Sequence, residues 1–216
     1  MPPLVDLSHV IENGMTTYPG LPGPTITDHL SREGSRKNYE TGTEFNIGRI
    51  NMVANTGTYL DTPFHRYPDG YDLADLPLER VTDLTGLCIK AESQEIGPGS
   101  LTGFDLAGKA VLFATGWDRH WGTAAYGDPS HPYLSETTAE LLVAAGAALV
   151  GIDSVNIDDT RGGSRPVHSR LLAAGIPIVE HLTGLQALLG TELHFTAVPA
   201  PVRGMGTFPV RAFAVI

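Results

Sequence analysis

The chain has 216 residues, 42% apolar and 18% charged, a balance that excludes a disordered or fibrous protein and fits one globular domain over 1–216. Fourteen Lys and Arg against 24 Asp and Glu give a formal charge of -10, which argues against a broad grip on phosphate backbones and so against nucleic acid as a partner. Cys88 is the one cysteine and cannot close an intrachain disulfide; with no leader-like N-terminus and no apolar run near the roughly 20 residues that cross a bilayer, a cytoplasmic protein with no membrane partner is expected.

Residues 1–50 read as strands and loops. Met1 to His9 supplies a first strand, Tyr18-Pro19-Gly20 with Pro22 and Pro24 stiffens an extended loop, and Phe45, Ile47 and Ile50 anchor a second strand. In the next segment, Asn55 to His65, the period of a strand puts residues 55, 57, 59 and 61 on one face, aiming Asn55, Tyr59 and Asp61 at one pocket. Gly57 allows a tight turn or close approach there. Pro63 then breaks the strand, and a rigid turn can return the His65 imidazole towards Asp61.

Further along, Ala110 to Thr115 is a buried-strand pattern running into Gly116-Trp117-Asp118. Ser135 is a fitting N-cap for a helix over Glu136 to Ala145, with Gly146 ending it, and Ala147 to Ile152 returns as a strand with Asp153 beyond it. Pro166 opens a second helix through Ala174, Gly175 stops it, and Ile176 to Val179 forms a strand leading directly to Glu180. Thr183 is expected to cap a short third helix, Gly184 to Leu189. Strands then follow at Leu193 to Val198 and Val210 to Val215, with a turn at Gly204-Met205-Gly206. Helix-then-strand units of this kind define an α/β protein with helices packed on a mixed or antiparallel sheet.

His168 falls in the first turn of the Pro166 helix, where the partial positive charge favours a neutral imidazole, and Glu180 is placed to point over a sheet edge. Their separation by one helix and one turn makes convergence on a shared cleft plausible. Asp6 and His9 read as a hydrogen-bonded structural pair, and Asp153, Asp158 and Asp159 as loop caps. Tyr18, Trp117 and Tyr67 are candidates to line a pocket for a flat substrate. Arg161 and Arg165 can neutralise an acidic ligand, or else pair with Asp158 and Asp159. His131 and His181 carry no ligand-like spacing, and Cys88, between Leu87 and Ile89, reads as packing. The dinucleotide fingerprint, phosphate-binding loop, HExxH helix and GxSxG elbow are all absent, so no nucleotide cofactor is expected.

Asp6-Leu7-Ser8-His9, Tyr18-Pro19-Gly20, the segment Asn55 to His65, Val150-Gly151-Ile152-Asp153 and His168 through Glu180 together resemble the metal-dependent cyclase and hydrolase family that includes bacterial kynurenine formamidase and isatin hydrolase. The resemblance implies a swivelling β/β/α fold, a homo-oligomer, and hydrolysis of an amide, lactam or related small-molecule carbonyl substrate with a divalent metal. The family signature His-x-Gly-Thr-His-x-Asp-x-Pro-x-His is kept here at Gly57, Thr58, Asp61, Pro63 and His65, with Asn55 and Tyr59 standing at its first two histidines. By the same resemblance Asp61, His168 and Glu180 are metal ligands and His65 transfers protons. Asn55 can add a neutral oxygen, so manganese, magnesium or weakly held zinc suits the set better than tight zinc. Two other readings stay open at this point: a metal-free cyclase or lyase using His65, Tyr59 and Glu180 for proton transfer, and a catalytically silent small-molecule binder.

Overall fold

The computed structural model describes residues 2–216, so Met1 of the expected first strand lies outside the described residues. In chain order the strands and helices are β1 (Leu4–Asp6), β2 (Thr25–Leu30), α1 (Arg32–Ser35), β3 (Ile47–Asn51), β4 (Tyr59–Asp61), β5 (Leu84–Lys90), β6 (Glu95–Ile96), β7 (Ala110–Ala114), β8 (Tyr133–Leu134), α2 (Glu136–Ala144), β9 (Leu149–Ile152), α3 (Pro166–Ala173), β10 (Ile178–Glu180), β11 (Leu193–Thr196), β12 (Thr207–Pro209) and β13 (Phe213–Val215). Nine of the strands form one mixed sheet in the order β1-β13-β11-β5-β7-β9-β10-β4-β12, while β2–β3 and β6–β8 pair separately.

The centre of the sheet, β5-β7-β9-β10, is parallel, with α2 and α3 crossing over between its last three strands, and the flanking strands are antiparallel. β7, β9 and β10 are buried on both faces, which is why β7 and β9 read as unbroken apolar runs. Alternation sorts their side chains into two cores. Val111, Phe113, Val150, Ile152 and Ile178 pack with Ala139 and Leu142 of α2 and Val167, Leu171 and Leu172 of α3. Leu60, Leu112 and Val179 face the other way, onto Leu182, Leu185, Leu188 and Phe195.

The two long helices obey their sequence signals: the Ser135 hydroxyl accepts from the Thr138 amide at the start of α2, and Pro166 opens α3. Other expectations need correction. A four-residue helix, α1, capped by Ser31, occupies the charged stretch that reads as loop. Phe45 lies outside β3, and Asn55 and Gly57 lie outside β4, because Gly57 takes φ +67 and turns the chain before the strand begins. Thr183 caps nothing; its hydroxyl donates to Asp118 at 2.9 Å, and the following 3-10 turn, Leu185–Leu188, starts from Gly184. Glu180 is the last residue of β10 and not the first beyond it.

That last difference builds the site. Glu180 pairs across to Tyr59, and Ile178 to Asp61, while Thr207 of β12 flanks Asp61 on the other side. Since Ile178 belongs to the helix-side core, Tyr59, Asp61 and Glu180 share the face that α3 covers, and His168 descends on them from its first turn.

Candidate active site

Asp61, His168 and Glu180 converge in the interior: each offers a ligand atom within 4.8 Å of the other two, and all three residues are buried. His168 Nε2 stands 3.7 Å from Asp61 Oδ2 and 3.7 Å from Glu180 Oε1. The other imidazole nitrogen, Nδ1, is bonded at 2.6 Å to Asp158 Oδ2, which leaves Nε2 to face the two carboxylates. Asp158 also accepts the Val167 and His168 amides at 2.7 and 3.0 Å, so one carboxylate caps α3 and orients its histidine. The sequence reading of Asp158 as a cap is correct and understates its work.

Charges in this cluster are strongly interdependent. Burial acts to lower the His168 pKa, but Glu180, Asp158 and Asp61 outweigh it and bring it up to about 10. Burial and the neighbouring Asp61 raise Glu180 to about 7, against the pull of His168, Tyr59 and the Ile157 amide. For Asp61 burial is again the largest influence, yet His168, His65 and Thr207 hold it below the ordinary carboxylate range.

Asp61 Oδ2 is a buried oxygen with no hydrogen-bond partner, one of only two such side-chain atoms among the described residues. A buried carboxylate oxygen without a donor is costly, and here it faces an imidazole nitrogen and a second carboxylate oxygen. One nitrogen and two oxygens of this kind suit a divalent cation of the manganese, magnesium or zinc type, and the residues fit such an ion.

His65 lies on the open side of the cluster, with its side chain 36% exposed and its ring centroid 6.1 Å from that of His168. The Thr207 hydroxyl gives its proton to Asp61 Oδ1, so its oxygen accepts from His65 Nδ1 at 2.7 Å. His65 is thereby held with Nε2 as its free acceptor. Gly206 makes this possible: a Cβ there would sit 2.2 Å from the His65 amide nitrogen, so only glycine lets β12 approach so closely.

Tyr59 is fully buried, and burial with the Glu180 and Asp61 charges raises its pKa well above the ordinary phenol value. Its hydroxyl donates to Glu180 Oε2 at 2.7 Å, and the half-buried Asn55 meets the same hydroxyl. His181, which carries no sequence signal, stands 3.2 Å from that hydroxyl through Nε2 and 2.8 Å from the Tyr126 hydroxyl through Nδ1. Burial drives its pKa down to about 3, so the ring is neutral. Beyond it, Trp121 and Tyr126 line a cleft of about 880 Å³ with His9, Met15, Thr17 and Pro19. The His9 and Trp121 rings stack in it at 3.8 Å.

The expected substrate-binding residues are scattered. Trp117 donates its indole N–H to the Tyr126 carbonyl at 2.8 Å and packs edge-on against His120; the cleft tryptophan is Trp121, four residues on. Tyr18 is half-buried between Thr17 and Pro19, which line the cleft where it does not. Arg161 is forked onto Asp159 at 2.9 Å and also meets the Tyr133 hydroxyl, the pairing alternative that the sequence left open. His131 is buried with both ring nitrogens satisfied by Pro132, Ser154 and Thr160.

A family model described as "Putative cyclase" matches residues 5–159. The chain belongs to the cyclase family. The resemblance read from its motifs is therefore borne out. The kynurenine formamidase of Geobacillus thermodenitrificans is 28% identical, covering 98% of this chain and 97% of that protein, and that of Bacillus cereus ATCC 14579 is 28% identical over 96% and 95%. Isatin hydrolase A from Labrenzia aggregata superposes with a TM-score of 0.84 at 20% identity, covering 99% of this cyclase-family chain and 93% of the other. A structure described as a potential metal-dependent hydrolase with cyclase activity gives 0.79 at 23% identity over 99% and 98%. These superpositions establish the α/β cyclase fold.

Proposed function

We propose that this protein is a divalent-metal-dependent hydrolase of an amide, lactam or related carbonyl compound. The partnerless Oδ2 of Asp61, facing His168 Nε2 and Glu180 Oε1, carries the proposal. The names of the relatives, a formamidase and an isatin hydrolase, support the substrate class. Asp61, His168 and Glu180 would hold the ion, with Asn55 nearby as a neutral oxygen. When bound, such an ion polarises a carbonyl and makes water more acidic. His65, with Nδ1 donated to Thr207, keeps Nε2 available to accept a proton from water and return it to the departing nitrogen or oxygen. Asp158 keeps the ligand nitrogen of His168 pointed inward.

This reading is preferred to metal-free catalysis through Tyr59, because the phenol proton is already committed to Glu180. It is preferred to an inert binder because the charged cluster is intact. The test is turnover of N-formylkynurenine, isatin and simple lactams by protein stripped with chelator and then given manganese, zinc or magnesium. Activity that depends on the returned ion and on His65 is expected; undiminished turnover in the stripped protein would sink the metal role. A cytoplasmic homo-oligomer belongs to the same reading. The oligomer is supported by the β2–β3 hairpin, which among the described residues pairs with no other strand and exposes Ile26, Ile47 and Ile50. Light scattering that returns a monomer would remove it.

A further inference from the structure

Glu180 is oriented at both oxygens. Oε1 accepts the Ile157 amide at 2.6 Å, and Oε2 accepts the Tyr59 hydroxyl at 2.7 Å. Tyr59 has one proton and has spent it on the carboxylate, so its oxygen must accept from His181 Nε2. The other ring nitrogen, Nδ1, lies 2.8 Å from the Tyr126 hydroxyl, so the imidazole bridges the two phenols. Tyr126, His181 and Tyr59 are thus hydrogen-bonded in series and end on one carboxylate. Hydrogen bonds aligned in series polarise one another, and in a buried site the whole series resists rotation of its last member.

We propose that Tyr59, His181 and Tyr126 form one positioning chain that holds Glu180 with Oε1 turned towards His168 and Asp61, and so sets the affinity of the site for a divalent cation. The proposal rests on the reading of Asp61, His168 and Glu180 as ligands. None of the three chain residues is itself a ligand in it. The backbone is arranged to make the chain: His181 adopts φ +57, outside the range that a bulky residue ordinarily takes, and the Thr58 hydroxyl pins its carbonyl. The chain also runs from the buried carboxylate to a wall of the open cleft, which Tyr126 lines. Tyr126 is therefore a residue that contacts the cleft yet acts on the ligand set through two intermediates.

The test is direct titration of chelator-stripped full-length protein with Mn²⁺ by calorimetry, with the electron paramagnetic resonance spectrum of bound Mn²⁺ as a second readout. Tyr59→Phe is expected to weaken binding by about 10- to 100-fold, the usual cost of losing a group that orients a ligand. Tyr126→Phe, which removes one hydroxyl at the far end and keeps the ring, is expected to weaken it by a smaller factor, roughly threefold, under the same principle, and to shift the spectrum in the same direction. Tyr71→Phe, whose hydroxyl bonds Gly175 away from the site, serves as the control and should bind as the parent does. Parent-like or tighter binding in both Tyr59→Phe and Tyr126→Phe overturns the chain while leaving the metal reading intact. Failure of the unmutated protein to bind Mn²⁺ overturns both. If Tyr59→Phe does not fold, the affinity and spectrum of Tyr126→Phe decide alone.

Discussion

His168 and His181 are both buried, yet their surroundings drive them in opposite directions, one up to about 10 and the other down to about 3. His168 faces three carboxylates, and the charges it meets outweigh the cost of leaving water. His181 is met by the hydroxyls of Tyr59 and Tyr126 and by the edge of Trp121, so burial prevails and the ring stays neutral. Depth alone says nothing of what a histidine does. What separates the two is whether the groups around them are charged and left short of donors, as Asp61 is, or neutral and fully paired, as the tyrosines are.

The comparison breaks first at the charged histidine's partner. Asp61→Asn removes a proposed ligand and a charge together, and is expected to lower Mn²⁺ affinity by at least about 100-fold and to abolish ion-dependent turnover. Elemental analysis of the purified variant checks it; retained stoichiometric metal would mean that Asp61 is structural.

The neutral histidine should register in folding as well as in the ion affinity that its chain sets. His181→Leu strands the buried Tyr126 hydroxyl, takes one partner from the Tyr59 hydroxyl and places a bulky aliphatic residue at φ +57, a loss of about 3 kcal/mol measured by urea denaturation. A loss below about 1 kcal/mol would show that the pairing contributes little.

A third buried group sharpens the contrast. Asp153 accepts the Thr115 and Gly116 amides, both at 2.8 Å, and the Thr115 hydroxyl, yet burial still raises its pKa to about 6. The folded protein therefore holds this proton more tightly than the unfolded chain. Its stabilising contribution is complete below 3.8 and fades as the pH rises through about 6, on the order of 1–3 kcal/mol. Asp153→Asn should flatten that part of the stability profile; an unchanged slope would place the titration elsewhere.

The smallest effect concerns Cys88, whose thiol burial pushes up to about 12 and which donates to the Leu185 carbonyl. Iodoacetamide is expected to leave it unmodified in the folded protein and to label it in urea, without change in activity beforehand. Rapid labelling of the native chain would contradict this burial.

Sequence carried the architecture well where signals are local. The helices α2 and α3 follow from Ser135 and Pro166, and the joining of Asp61 with His168 and Glu180 follows from the family resemblance. What it could not carry is contact between distant residues. His181 meets Tyr59 across 122 positions and Tyr126 across 55, and no periodicity marks such pairs. Trp117 and Trp121 were indistinguishable by composition, and only the 3-10 turn at Trp117–His120 decides which ring reaches the cleft. Arg161 was more legible than its assignment to substrate implied, because Asp159 stands two residues away. Glu180 was displaced by one position: β10 runs one residue further than its apolar run, since Tyr59 provides a polar cross-strand partner.

The double use of Asp158 has a mechanical consequence. The same carboxylate starts α3 and fixes the ring of His168, so this histidine has no hinge of its own. Its ring cannot turn without fraying the first turn of the helix, and the entropy of aiming it is spent once, during folding, instead of at each encounter with an ion. On the proposed metal reading, any adaptation of this cluster to a larger or smaller cation must therefore come from Asp61 and Glu180, on the sheet, or from moving the whole helix.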